Sequence, residues 1–207
     1  MNVFVESNFV LELVREQQEA PPCRKLVGLA SAKSIRLFLP AYSFIEPHET
    51  LTRGKLDRDA LQSQLSWELT QLARSEQLAE RASASQEIVK LLIESSEYEA
   101  TQIEKVKQRL WSVSDVLPLD LKVLRSAAEC QADYNLSAQD AIVYASIRTQ
   151  LELDHAAVSC FISRNPRDFK NPDLSRDLAS LNCKYFSSFV TALQFIEHAI
   201  ASPPPGA

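Results

Sequence analysis

Residues 3–14 read VFVESNFVLELV, and the fold turns on this stretch. Val3-Phe4-Val5 is a short apolar run of the kind that forms a strand buried on both faces. From Phe9 the spacing changes. Phe9, Val10, Leu13 and Val14 recur at helical intervals, so a helix follows the strand almost at once. Between the two lie Glu6, Ser7 and Asn8. Asn8 is a good N-cap type, and Ser and Asn favour such junctions.

The same alternation continues along the chain. Pro21 and Pro22 sit where prolines open a helix, which runs on through Leu26, Leu29 and Ala30. Ile35 to Leu39 reads as a second strand, closed by Pro40. A helical pattern starts at Ala41 and contains Glu46. Leu61, Leu65, Leu69 and Leu72 then step along one helix face, and Ile88, Leu91, Leu92, Ile103, Val106 and Leu110 along another. Residues 55–111 therefore read as an insertion of two long helices, with charged residues on their remaining faces. SDVLPLD holds a candidate third strand. Leu121 to Ala132 is a helix, and Ser137 is the expected N-cap of the next. Ala157 to Ser163 is a strand, followed by a loop through 164–173. Residues 183–186, CKYF, form a last strand, and Phe189, Val190, Leu193, Ile196 and Ile200 line a closing helix. The tail at 203–207 is expected to be disordered.

Strands alternating with helices indicate an α/β fold with a parallel sheet and helices on both faces. The expectation is a three-layer α/β/α sandwich forming a single domain over residues 1–202, with 55–111 as a helical arm.

Composition narrows the chemistry. Only 3 glycines occur among 207 residues, and no glycine-rich phosphate loop is present. A net charge of -5 argues against a grip on nucleic acid driven by overall positive charge. The four cysteines lack C-x-x-C spacing, and no His pair lies at i, i+4, so zinc and thioredoxin-like sites are poorly supported. Cys160 lies in an apolar run and reads as a buried thiol. Neither a signal peptide nor a membrane-spanning apolar stretch is evident, so a cytoplasmic protein with reduced thiols and no membrane partner is expected.

The acids are better placed. In open α/β sheets, ligands bind beyond the carboxyl ends of the strands. Glu6 directly follows the first strand, and Asn165 and Asp168 follow the strand ending near Ser163. Glu46 lies early in the helix after the second strand. Asp140 opens a helix that feeds a strand and so starts over the same sheet edge. Carboxylates gathered there repel unless a cation neutralises them. Hard oxygen donors select Mg²⁺ or Mn²⁺, which supports phosphodiester hydrolysis without a Cys or His nucleophile. Each residue also has a plainer role. Ser137-Ala138-Gln139-Asp140 fits the S-x-x-D capping box, Glu46 fits a solvated helix charge, and Asp168 fits a turn.

These stretches, in order, resemble the motifs of the PIN-domain family. VFVESNFVLEL resembles the opening motif, LPAYSFIEPHETL the second, LSAQDAIVYASI the third and CFISRNPRDF the fourth. The resemblance spans residues 3 to about 169. It implies a small α/β/α sandwich and a Mg²⁺- or Mn²⁺-dependent endoribonuclease of the VapC toxin type, with an RNA substrate, an antitoxin protein as partner, and a homodimer. It further implies Glu6, Glu46 and Asp140 as metal ligands and Asn165 at the fourth acid position, with Asp168 as a neighbouring ligand. Ser7 and Ser163 would support the site by hydrogen bonds, and Asn8 would hold the first loop. Two positions depart from the family pattern. Glu6 stands where Asp is usual, one methylene longer, and Asn165 brings no charge. The alternative expectation is therefore a catalytically weak or inactive PIN scaffold that binds protein or RNA.

Overall fold

The computed structural model describes residues 1–154, 156, 158–165, 169 and 171–201. The tail at 203–207 lies outside them. The chain divides into two compact units, Met1–Pro47 with Val106–Ala207, and His48–Lys105. In chain order the described elements are β1 (Asn2–Val5), α1 (Ser7–Arg15), α2 (Ala20–Ser31), β2 (Arg36–Pro40), α3 (Tyr42–Leu72), α4 (Ala79–Ala84) and α5 (Gln86–Val113). They continue with β3 (Ser114–Leu117), α6 (Leu121–Tyr134), α7 (Ala138–Leu153), β4 (Ser159–Ile162), α8 (Pro172–Ser180), β5 (Cys183–Phe186) and α9 (Phe189–Ala201).

The first unit is α/β. Its five strands form one parallel sheet in the order β3-β2-β1-β4-β5. The apolar run at the N-terminus becomes the central strand, and all four residues of β1 are buried. Successive side chains point to opposite faces. Phe4, Phe38 and Phe161 share one face and pack with Val123 and Ala127 of α6, Val143 and Ile147 of α7, and Leu174 and Leu178 of α8. Phe4 stacks on Phe38 with centroids 4.9 Å apart. By alternation Val3, Val5, Leu37, Leu39, Cys160 and Ile162, all buried, face the other way. That side is covered by α2 and α9, with α1 against α2. Phe9 of α1 meets Phe189 of α9 at 5.5 Å. Helices thus cover both faces of a parallel sheet, in three layers.

The strand order locates the candidate site. From β1 the chain builds outward through β2 to β3. It then returns to place β4 on the other side of β1. The order reverses between β1 and β4, and the crevice at such a reversal is where open α/β sheets bind ligands.

Two elements differ from the sequence reading. The stretch 164–173, read as loop, gives way to α8 at Pro172. Asn171 caps this helix through Oδ1, which accepts from Asp173 N at 2.9 Å, and Pro172 takes the first helical position. The second difference is that the helix after β2 does not end before the insertion. It runs from Tyr42 to Leu72 as one element, through Pro47. Pro47 removes one backbone donor, yet the helix continues on both sides of it.

The second unit carries the distal part of that helix. Along α5, Val89, Leu92, Ser96, Glu99 and Ile103 alternate steps of three and four, a 3.5-residue seam. Leu69, Ala82 and Val89 form a small buried cluster with Leu65 packed on it. Midway, Arg58 pairs with Glu99 at 2.5 Å and donates from Nε to Ser96 Oγ at 2.8 Å. Arg58 thus meets Ser96 and Glu99 while Leu69, further along α3, clusters with Val89, earlier on α5, so the two helices run antiparallel. Among the described residues no helix is long and apolar enough to cross a membrane.

Candidate functional site

Glu6 ends β1 and begins α1. Its backbone is extended, at φ -130 and ψ -168, which is how an N-cap residue stands before the first helical turn. Oε2 accepts from Asn8 N at 3.0 Å, and Oε1 accepts from Asn8 Nδ2 at 2.8 Å. The cap is therefore Glu6 and not Asn8, which lies inside the first turn. A carboxylate suits this place because the helix N-terminus carries partial positive charge. Asn8 holds both carboxylate oxygens at once.

Glu46 lies in the second turn of α3, beyond the carboxyl end of β2. Its Oε2 accepts a short hydrogen bond from Ser7 Oγ, and Ser7 itself is buried. Asp140 stands in the first turn of α7. Ser137 caps that helix, accepting from Asp140 N at 3.1 Å and donating to Asp140 Oδ2 at 2.5 Å. The Ser137 half of the capping box is thus formed, while Asp140 Oδ2 bonds the Ser137 hydroxyl rather than its backbone N–H, which uses one carboxylate oxygen. The other, Oδ1, accepts a long contact from Asn165 Nδ2 at 3.4 Å. Asn165 N in turn donates to Ser163 Oγ at 3.0 Å. Ser163 is fully buried, and its hydroxyl also bonds to the Glu6 carboxylate. Asp168 lies outside the described residues.

The geometry brings these groups together at the β1/β4 reversal. Ser163 sits between Glu6 and Asn165, and Asn165 reaches Asp140. Ser7, the neighbour of Glu6, holds Glu46. Replacing Ser137 by alanine removes the cap of α7 and frees one Asp140 oxygen. A loss of about 1 kcal/mol is expected in chemical denaturation. A loss near zero would mean that the Ser137 hydroxyl contributes nothing net to the cap.

Burial dominates the electrostatics. Desolvation pushes the Glu6 carboxyl up to about 7; the Asn8 and Ser163 hydrogen bonds oppose it, and the nearby Glu46 charge adds to it. Tyr185 of β5 feels the same pocket. Its hydroxyl donates to the Ser163 carbonyl at 2.9 Å and is pushed up to about 12, by burial first and the Glu6 charge second. The thiols play no part here. All four cysteines are free and buried, and burial raises the Cys160 thiol well above its ordinary value.

Among the described residues no three or more His, Cys, Asp or Glu side chains gather as a metal-holding group. The donor set itself still fits a hard divalent cation. Every polar group at the reversal offers oxygen, and Mg²⁺ keeps several of its waters while taking one or two carboxylates. Glu6 and Glu46 lie near enough for the Glu46 charge to raise the Glu6 carboxyl. A cation beside them opposes the desolvation that raises Glu6.

Sequence reading missed a second polar cluster behind the site. Arg164, between Ser163 and Asn165, makes a short ion pair with Glu12 of α1, which is buried. Arg164 Nε also lies 3.8 Å from Glu19. Glu12 accepts from Glu19 N at 3.0 Å. Glu19 caps α9, accepting from Ser188 Oγ at 2.6 Å and Phe189 N at 3.0 Å. One signal was present: Glu12 falls three residues after Phe9, on the same apolar helix face.

Compared with known proteins, the chain matches no family model, no curated protein and no solved structure.

Proposed function

We propose that this chain is a PIN-like, Mg²⁺- or Mn²⁺-dependent endoribonuclease whose acids are Glu6, Glu46 and Asp140, with Asn165 beside them. The observation that carries this reading is the hydrogen-bonded linkage at the β1/β4 reversal. It joins polar groups from four separate parts of the chain where such sheets bind ligands. The ordered motif resemblance supports the same reading. Ser7 orients Glu46, Asn8 and Ser163 orient Glu6, and Ser137 and Asn165 orient Asp140. A bound divalent cation supplies Lewis-acid polarisation of a phosphoryl oxygen and a water of lowered pKa. The chain's own part is to fix the carboxylates in place through these hydrogen bonds. In this reading the substrate is RNA, the partner is an antitoxin protein, the setting is the cytoplasm, and the unit is a homodimer.

The test is RNA cleavage in Mn²⁺ by wild type and Asp140→Asn. Loss of a group that orients or ligates a metal lowers affinity or activity about 10- to 100-fold, and a drop of at least that size is expected. Equal rates would remove Asp140 from the mechanism.

A second reading, a scaffold that binds protein or RNA without cleaving, is favoured by two observations. No three-ligand group forms among the described residues, and both Glu6 oxygens are already engaged by Asn8. Thermal melting separates the readings, because a ligand that binds the folded state raises its melting temperature by mass action. A cation site predicts a rise in millimolar Mn²⁺. A scaffold predicts none.

A further inference from the structure

We infer that a cavity beside β5 binds an organic monocarboxylate: the carboxylate meets Lys184, an apolar body lies against Phe195 and Ala179, and a second polar group meets the Ser159 hydroxyl.

The cavity has a volume of about 600 Å³, within the roughly 300–1,000 Å³ of sites that hold small organic molecules. Its walls come from the starts of β4 and β5, from α8 and from α9. All of these lie in the first unit. Ser159 and Cys183 open their strands, whereas Glu6 follows the last residue of β1. In a parallel sheet those are opposite ends, so this cavity is separate from the gathered acids.

Alternation puts Ser159 on the face of Phe161 and Lys184 on the other face. β5 is an edge strand, so a cavity that touches both residues passes round its outer side. A molecule that fills it is therefore elongated, with one end at each residue.

Each end has an unmet demand. Ser159 is 1% exposed, and its Oγ has no hydrogen-bond partner among the described residues. Buried hydroxyls are nearly always paired, because leaving one unpaired costs its desolvation. This one borders the cavity, where a ligand group can reach it. Lys184 has no carboxylate partner among the described residues. Its Nζ lies 5.2 Å from the Phe186 ring centroid and 5.1 Å from that of Phe195, which is itself part of the cavity wall. Two ring faces hold a cation in place without neutralising it.

Charge and walls select the class of ligand. Among the described lining residues Lys184 is the one cation, and no acid is present. A single positive charge suits a carboxylate better than a phosphate monoester, which carries nearly two negative charges. The Cys183 thiol, pushed up to about 12 by burial, stays neutral and does not repel an anion. Val158, Ala179 and Phe195 supply the apolar wall between the two ends.

Fluorescence titration of the full chain with dansyl-undecanoate, in the absence of divalent cation and RNA, tests this. The probe carries a carboxylate at one end and a polar sulfonamide at the other. Its emission should rise and saturate with wild type. Lys184→Gln should weaken binding about tenfold, the loss expected for a charge-assisted contact. The uncharged methyl ester of the probe should bind wild type about tenfold more weakly than the acid and should not distinguish wild type from Lys184→Gln. Ser159→Ala should weaken binding about threefold or more, yet melt no lower than wild type, since the hydroxyl it removes has no partner in the fold. A structural hydroxyl would show the reverse. Ala179 is exposed on α8, so Ala179→Trp narrows the cavity without entering the core, and it should abolish saturation. A wild type with no saturable signal overturns the inference. So do equal affinities for the acid and its ester, or full binding by both Ala179→Trp and Lys184→Gln, which would put the probe on another surface. Because the titration contains neither metal nor RNA, its failure leaves the proposed nuclease site untouched.

Discussion

Between about pH 5 and 8, with no divalent cation present, wild type should lose about 3 kcal/mol of folding stability through Glu6 alone. The folded state raises this carboxyl from 4.5 to about 7, so the native protein holds the proton more tightly than the unfolded chain. A raised pKa stabilises the fold fully below the unfolded value and ceases to do so as pH climbs through the folded one. A pKa displaced by one corresponds to about 1.4 kcal/mol. Above pH 7 the native state carries a buried carboxylate beside Glu46, held among the described residues by Asn8 and Ser163. Glu6→Gln should therefore flatten the pH dependence and be more stable than wild type at pH 8. Denaturant melts of both proteins across this range check it. Parallel curves for the two would show that Glu6 does not titrate as its burial requires. Mn²⁺ at pH 8 should restore part of the loss in wild type and not in Glu6→Gln, which ties the titration to the proposed site.

Arg164→Ala should destabilise the protein by about 3 kcal/mol, the lower end for breaking a buried ion pair. The lower end applies because the guanidinium is 41% exposed, whereas the Glu12 side chain is 2% exposed. Removing the cation leaves the Glu12 carboxylate in the interior with the Glu19 N–H as its remaining hydrogen bond among those described. The double variant Glu12→Gln, Arg164→Ala should recover much of the loss, because no uncompensated charge is then left inside. Non-additivity of the two single changes is the expected result of the cycle. Simple additivity would show that the pair contributes nothing beyond its separate parts. The single variant should also reduce any metal-dependent activity, since Arg164 stands between Ser163 and Asn165 and fixes the loop that presents both.

Local chemistry made much of this legible in the sequence. The run Val3–Val5 announced a central strand because a strand covered on both faces needs no polar alternation. Ser137 announced the start of α7 because a hydroxyl three residues before Asp140 satisfies a free helix N–H. Glu6, Glu46 and Asp140 were traceable because a parallel sheet gathers, along one edge, the residues that succeed its strands and open the helices returning to it. Other features depend on partners far apart in the chain. Glu12 and Arg164 are separated by most of its length, so nothing local signals their pairing. Asn171-Pro172 opens α8, but the dense Asn and Pro around it also fit a loop. The leucine and isoleucine positions of the hairpin were legible as apolar stripes. Which half of each stripe faces inward depends on how the two helices meet, and periodicity alone does not fix that.

The central strand has one further consequence, for the order in which the molecule is made. β1 emerges before the other four strands of its sheet, and β2 comes soon enough to pair with one of its edges. Its other edge waits for β4, which begins at Ser159. Until then the row of N–H and C=O groups on that edge has no strand to bond, and Glu6 lacks the Ser163 hydroxyl. A nascent or truncated chain that stops short of Ser159 keeps this open edge and no complete site. Such an edge is a template for pairing with other chains. Completion of the candidate site and protection of the sheet from aggregation are thus a single late event, set by the position of β4 in the sequence.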